Sequence, residues 1–190
     1  NMDMDMTIHE FIDKFTEILQ KTYFSLNPLN PNNTEDNFQE LLRHNIIKVF
    51  NCNVDSEVTF QRTVVDINGD EINLKNKTER YDLIVNMFDL LMELKAVEKL
   101  DESHTNQLLT YMNNSDYKYG AIINFRKGKS CKQLIAEAKF YEKIDEDSCK
   151  EDIYGNKYRI QKFRLINGDI KTEDFKVVTG CYLSNEIVVN

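Results

Sequence analysis

Two carboxylates and one amine stand in the most apolar part of this chain: Asp82 in Arg80-Tyr81-Asp82-Leu83-Ile84-Val85, and Glu93 and Lys95 in Leu90-Leu91-Met92-Glu93-Leu94-Lys95. Strand signals flank the linking residues Asn86-Met87-Phe88-Asp89, so the segment reads as a hairpin turning near Met87 and Phe88. Val85 then faces Leu90, and counting outward sets Asp82 opposite Glu93, with Cβ atoms about 5 Å apart on one face. Lys95, two residues on, shares that face. Paired carboxylates repel one another and tolerate proximity best around a divalent cation. A neighbouring lysine can orient a water or stabilise developing negative charge. Asp followed by Glu-x-Lys on the next strand therefore suits metal-assisted phosphodiester hydrolysis. The bland alternative is a solvated ion-pair face on a half-exposed antiparallel sheet.

The opposite face of the second strand is Leu90, Met92, Leu94 and Ala96, with nothing polar in it. Such a hairpin needs a layer on each side. Ile8 to Tyr23 has the apolar spacing of an amphipathic helix (Phe11, Ile12, Phe15, Ile18, Leu19), ended by Asn27-Pro28-Leu29-Asn30-Pro31. A second helix runs from Thr34, a good N-cap, to about Phe50, with Glu35 and Asp36 in its first turn. Val58 to Ile67 is a β-branched strand, and Asn68-Gly69-Asp70 turns it into Ile72 to Leu74. Ser103 to Asn113 reads as a short helix that places Gln107 and Tyr111 along one edge. Tyr119 to Phe125 reads as a buried strand, Cys131 to Ile144 as a helix, Asp145 to Asp152 as an acidic loop, and Tyr158 to Ile166 and Phe175 to Leu183 as strands. Glu186 to Val189 is a short tail. The order predicts a single α/β domain over 1–190, a mixed sheet flanked by helices.

Composition narrows the classes. Hydrophobic content of 41% fits an ordered globular chain, and no apolar run approaches the roughly 18 residues of a spanning helix. The N-terminal residues lack a leader pattern, so a soluble, intracellular protein without membrane contact is expected. Cys52, Cys131, Cys149 and Cys181 are scattered, as are His9, His44 and His104. Any metal is therefore a hard ion on carboxylates rather than a thiolate or imidazole site. A net charge of −8 weighs against simple coating of nucleic acid. Two basic runs stand out locally: Lys118, Arg126, Lys127, Lys129, Lys132, Lys139 and Lys143, then Lys157, Arg159, Lys162 and Arg164 interleaved with Tyr158 and Phe163. Each reads as a phosphate contact or as a solvated polar face.

Glu93-Leu94-Lys95-Ala96-Val97-Glu98-Lys99-Leu100, then His104, Gln107-Leu108-Leu109-Thr110-Tyr111 and Gly120-Ala121-Ile122-Ile123-Asn124-Phe125, resemble the GxxExxY family of the PD-(D/E)XK nuclease superfamily over roughly 34–125. The resemblance implies a restriction-endonuclease-like fold and a Mg²⁺- or Mn²⁺-dependent nuclease acting on DNA. It implies metal-binding roles for Asp82 and Glu93, a catalytic role for Lys95, and an orienting role for Gln107 toward substrate or water. The name-giving motif falls at Asn32-Asn33-Thr34-Glu35-Asp36-Asn37-Phe38, which makes Glu35 the helix acid near the metal, with Glu40 as fallback. Asn32 stands where the family has glycine and Phe38 where it has tyrosine. Tyr111, Arg80, Arg126, Lys127 and Lys129 are the candidate substrate contacts. His104 reads as a helix-start residue. Residues 126–190 read as an extension. A nuclease-fold module that only binds nucleic acid or a protein partner, and a scaffold acting through the extension, are the alternatives, and a homodimer remains open.

Overall fold

The computed structural model describes residues 6–127, 135–155, 157–166 and 175–182. Helices α1 (Ile8–Ser25) and α2 (Glu35–Phe50) precede strands β1 (Val54–Val65), β2 (Glu71–Val85) and β3 (Leu90–Lys95). Helix α3 (Glu102–Asn113), β4 (Tyr119–Asn124), β5 (Glu137–Glu151), β6 (Lys157–Ile166) and β7 (Phe175–Tyr182) follow. The strands form one seven-stranded sheet in chain order, antiparallel throughout except between β3 and β4. That parallel pair needs a crossover, and α3 supplies it.

Both helix starts follow from local chemistry. Thr7 and Glu10 form a capping box on α1, and the Thr34 hydroxyl accepts the Asn37 N–H at 3.3 Å on α2. The apolar stripe of α1, with Phe38, Leu42 and Ile46 of α2, packs on one face of the sheet against Leu83, Leu90, Met92, Leu94, Ala121 and Ile123. On the other face Leu108, Leu109, Tyr111 and Met112 of α3 pack against Tyr81, Ile84, Leu91, Ile122 and Tyr141. Strands covered on both sides lose the polar alternation of a half-exposed sheet, which is why β3 and β4 read as nearly unbroken apolar runs.

The crossover fits tightly at Gly120. A Cβ there would lie 2.3 Å from Met112 Sδ, 3.0 Å from its Cγ and 3.2 Å from Leu108 Cδ1. Gly120→Ala is therefore expected to cost about 1–3 kcal/mol of stability. Urea denaturation measures it, and an unchanged midpoint would show that α3 has room to move.

Two expectations are corrected. Cys131 to Ile144 is not helical where it is described, and Asp145 to Asp152 is not a loop: Glu137–Glu151 is one long strand. Phe140 packs into the α1/α2 layer while Tyr141 packs into the α3 layer. Adjacent apolar residues on opposite faces mimic a helical stripe locally, and pairing with β4 and β6 decides for strand. Residues 131–134, and the tail at 186–189, lie outside the described residues. Ile72 to Leu74 and the first arm of the charged hairpin are also one continuous strand, β2.

Candidate active site

Val85 pairs with Leu90, Ile84 with Leu91 and Leu83 with Met92, as the hairpin reading requires, and Asp82 and Glu93 are the residues next along each strand past that last pair. A single turn of 3₁₀ helix at Asn86–Phe88 makes the connection, closed by Asp89 in the left-handed region at φ 50°. The solvated ion-pair alternative is overturned by burial. Asp82 is 8% exposed and Glu93 3%. Buried charge requires compensation.

Part of that compensation is visible. Asp82 Oδ2 accepts the Leu94 N–H at 2.7 Å, which locks its carboxylate across the strand pair. Desolvation first, then the Asp82 charge, pushes the Glu93 carboxyl up to about 9, against the pull of Lys95. Asp82 is raised too, chiefly by desolvation, and held back by the Leu94 N–H and by Lys95. Of the pair, Glu93 is the more strongly driven toward its protonated form. Glu93 Oε1 is nevertheless buried without any hydrogen-bond partner.

Glu35, the first residue of α2, reaches this cluster from the other layer. The Ala96 backbone N–H, just past Lys95, lies near enough to favour its ionised form. Burial and then Asp82 raise its carboxyl, and Lys95 opposes them. On α3, Gln107 Nε2 donates to the Tyr111 hydroxyl at 3.0 Å, and the Glu93 and Asp82 charges act on that phenol. The structure thus gathers Glu35, Asp82, Glu93, Lys95 and Tyr111, with Gln107 beside them.

The remaining candidates scatter. Arg80 is half exposed and pairs with Glu57 at 3.4 Å. Arg126 Nε donates to the Glu98 carbonyl at 3.3 Å, and Lys127 Nζ donates to the Pro31 carbonyl at 3.0 Å and to that of Asn33. Lys127 thereby anchors the loop before α2 to the end of β4. Lys129 lies outside the described residues. Within the basic runs, Lys143 donates to the Ser115 carbonyl and Arg164 pairs with Glu142. Glu40 is exposed and lines a recess with Leu26, Arg43 and His44 instead. His104 accepts the Asp101 N–H at 3.1 Å as part of a capping box, so it is a helix-start residue as expected. Phe38, where the family motif has tyrosine, is a core residue, stacked on Phe125 with ring centroids 4.4 Å apart.

Two supporting features went unread. Fully buried Asn124 accepts the Val97 N–H at 3.0 Å and donates to Glu137 at 3.0 Å, tying down the chain just after Lys95. A polar residue closing an apolar strand was the available signal. Glu57, opposite Asp82, holds a left-handed φ of 53° inside β1, a conformation costing roughly 1–2 kcal/mol. Neither Gly nor Asn marks that position.

The donor set suits a hard dication: two buried carboxylates with one unpartnered oxygen between layers, and no thiolate or imidazole. No group of three or more His, Cys, Asp or Glu side chains close enough to hold a metal ion occurs among the described residues. Asp82 and Glu93 are therefore the pair that fits, with Glu35 in electrostatic reach.

A search of the curated proteins finds no match. Among solved structures, one described as the crystal structure of SSO0001 is similar at a TM-score of 0.40 and 14% identity, over 67% of this chain and 60% of that one, too distant to bear on function. The family model described as the PD-(D/E)XK nuclease superfamily matches residues 13–138. That span takes in most of α1 and the start of β5, wider than the 34–125 expected from the motifs. It covers well over half of the chain, which therefore belongs to the PD-(D/E)XK nuclease superfamily.

Proposed function

We propose that this protein is a Mg²⁺- or Mn²⁺-dependent nuclease that hydrolyses phosphodiester bonds in DNA. The observation that carries this reading is the buried, partnerless Oε1 of Glu93, set against Asp82 and drawn on electrostatically by Lys95. An ionised carboxylate in such a place is costly unless a cation lies beside it, and a dication bound there would take the place of the proton. Asp82 and Glu93 would hold the ion, with Glu35 helping directly or through water. When bound, the dication supplies Lewis-acid polarisation of a phosphate oxygen and an acidified water.

The chain's own groups do the rest. The Leu94 N–H fixes the Asp82 carboxylate, so its free oxygen is aimed before any ligand arrives. Lys95 orients the attacking water or neutralises charge as it gathers on the phosphate oxygens. Because the Tyr111 hydroxyl accepts from Gln107, its own proton is left to donate to substrate. Arg80 and Arg126 would meet flanking phosphates.

The test incubates purified protein with labelled plasmid and single-stranded DNA in Mg²⁺, Mn²⁺ or EDTA. Cleavage in the first two and none in the third is expected. No cleavage of any substrate, with no heat of metal binding in calorimetry, rejects the reading. Nucleic-acid binding without turnover that survives Lys95→Ala would favour a silent module.

A further inference from the structure

The three residues after β4 each hold the α1/α2 layer. Phe125 stacks on Phe38, the Arg126 carbonyl accepts the Tyr23 hydroxyl, and Lys127 Nζ donates to the Pro31 carbonyl at 3.0 Å and to that of Asn33. Their main chain is tied to the strand that carries Lys95. β4 runs parallel to β3 with Asn124 beside Lys95, and the pairing continues past both strands: the Phe125 N–H donates to the Lys95 carbonyl at 2.8 Å, and the Lys127 N–H to the Val97 carbonyl at 3.2 Å. Lys127 thus has its backbone on the segment after Lys95 and its ammonium on the loop before α2. Val97 is two residues from Lys95, and Asn33 is two residues from Glu35. The loop is ordered to take that hold, because Asn33 is buried and its side-chain amide donates to the Leu26 carbonyl and, at 3.1 Å, to that of Asn27.

From this bridge we infer that Lys127 is a positioning residue: it fixes Glu35 relative to Lys95 and Asp82, and thereby sets how tightly the acid cluster takes a divalent cation. The inference rests on the nuclease reading, and it moves Lys127 out of the substrate contacts expected from sequence. Asp82 moves with β3, because its carboxylate accepts the Leu94 N–H. Glu35 arrives on a helix of the other layer, so Asp82, Lys95 and the Ala96 N–H act on its carboxyl only while that helix start is held against the sheet. Helix stability alone does not call for an ammonium there. It stands beside the N-terminus of α2, against the macrodipole, and its two described donations go to neutral carbonyls. Those donations also turn it toward the loop, which leaves a poor aim for a phosphate.

The experiment measures Mg²⁺ binding by titration calorimetry for wild type, Lys127→Met, Lys127→Arg, Glu35→Gln and the variant carrying both Lys127→Met and Glu35→Gln. Thermal melting establishes that each is folded. Lys127→Met keeps the aliphatic stem and is expected to bind Mg²⁺ roughly tenfold more weakly, as when a group behind a metal ligand is removed. Lys127→Arg keeps donors for both carbonyls and should recover most of the loss. In the Glu35→Gln background Lys127→Met should weaken binding little further, because its effect passes through that carboxylate. Duplex DNA binding in EDTA should keep the wild-type salt dependence in Lys127→Met, whereas loss of a phosphate contact would reduce the slope of log K against log salt by about 0.9. Undiminished Mg²⁺ affinity in Lys127→Met, an equal loss with and without Glu35, or a reduced salt slope overturns the inference and leaves a cleaving wild type as it is. Wild type that neither binds Mg²⁺ nor cleaves DNA rejects the nuclease reading itself. If Lys127→Met does not fold, Lys127→Gln, with one carbonyl still served, goes through the same cycle.

Discussion

Lys95→Ala is expected to slow metal-dependent DNA cleavage by about 10²- to 10⁴-fold while leaving melting temperature and DNA binding near wild type. The magnitude follows from what the ammonium would do. It acts where charge develops, and a positioned donor in a water-poor site contributes most there. Lys95 ends β3 and is only half buried, so removing its head leaves no cavity. Its loss does remove the one cation that acts on Asp82, Glu93 and Glu35 alike. Single-turnover rates with saturating Mg²⁺ are the measurement. Lys95→Arg should recover little, because a planar fork does not replace a compact ammonium. Cleavage by Lys95→Ala within a few-fold of wild type would remove Lys95 from the chemistry.

The metal-free protein is expected to lose stability as pH rises, and Glu93→Gln to abolish most of that loss. The folded state raises the Glu93 carboxyl from its ordinary value of 4.5 to about 9. A group whose folded-state value is raised adds stability below its unfolded value, and that stability is lost as pH climbs toward the folded value. Asp82 and Glu35 are shifted in the same direction, by burial first in each case. The window is therefore about pH 5 to 9. Glu17 and Asp101, whose carboxyls are lowered, act only below it. Melting in EDTA across that window should show a falling midpoint for wild type and a flatter line for Glu93→Gln, which should be more stable by about 1–2 kcal/mol near pH 8. Mg²⁺ should raise the wild-type midpoint most at high pH, where no proton must be displaced, and should leave Glu93→Gln unmoved. A wild-type midpoint that is level or rises from pH 5 to 9 in EDTA would contradict the buried acid pair.

Much of the site was legible before any coordinates. The register of the hairpin follows from the apolar run and its four-residue connection, because a slip of one residue would turn Leu90, Met92 and Leu94 off the α1/α2 core and set Glu93 and Lys95 in their place. Thr34 at the start of α2, and the edge shared by Gln107 and Tyr111, are likewise local: one is a cap and the other a helix spacing. What short windows misread was β5. There Phe140 and Tyr141 are both apolar because separate layers cover the two sides of the sheet.

The amino-acid order by itself determined that two acids and a lysine occupy one face of an apolar ribbon, since side-chain alternation is a property of the backbone. Only the tertiary structure decided that this face is sealed rather than solvated, because burial depends on α3 and α2 arriving from distant parts of the chain. The same holds for the basic candidates: Lys127 is turned to the carbonyls of Pro31 and Asn33 by a contact across most of the described chain. Charge is written residue by residue, but its desolvation, which raises Glu93 and leaves one of its oxygens without a partner, exists only where layers meet.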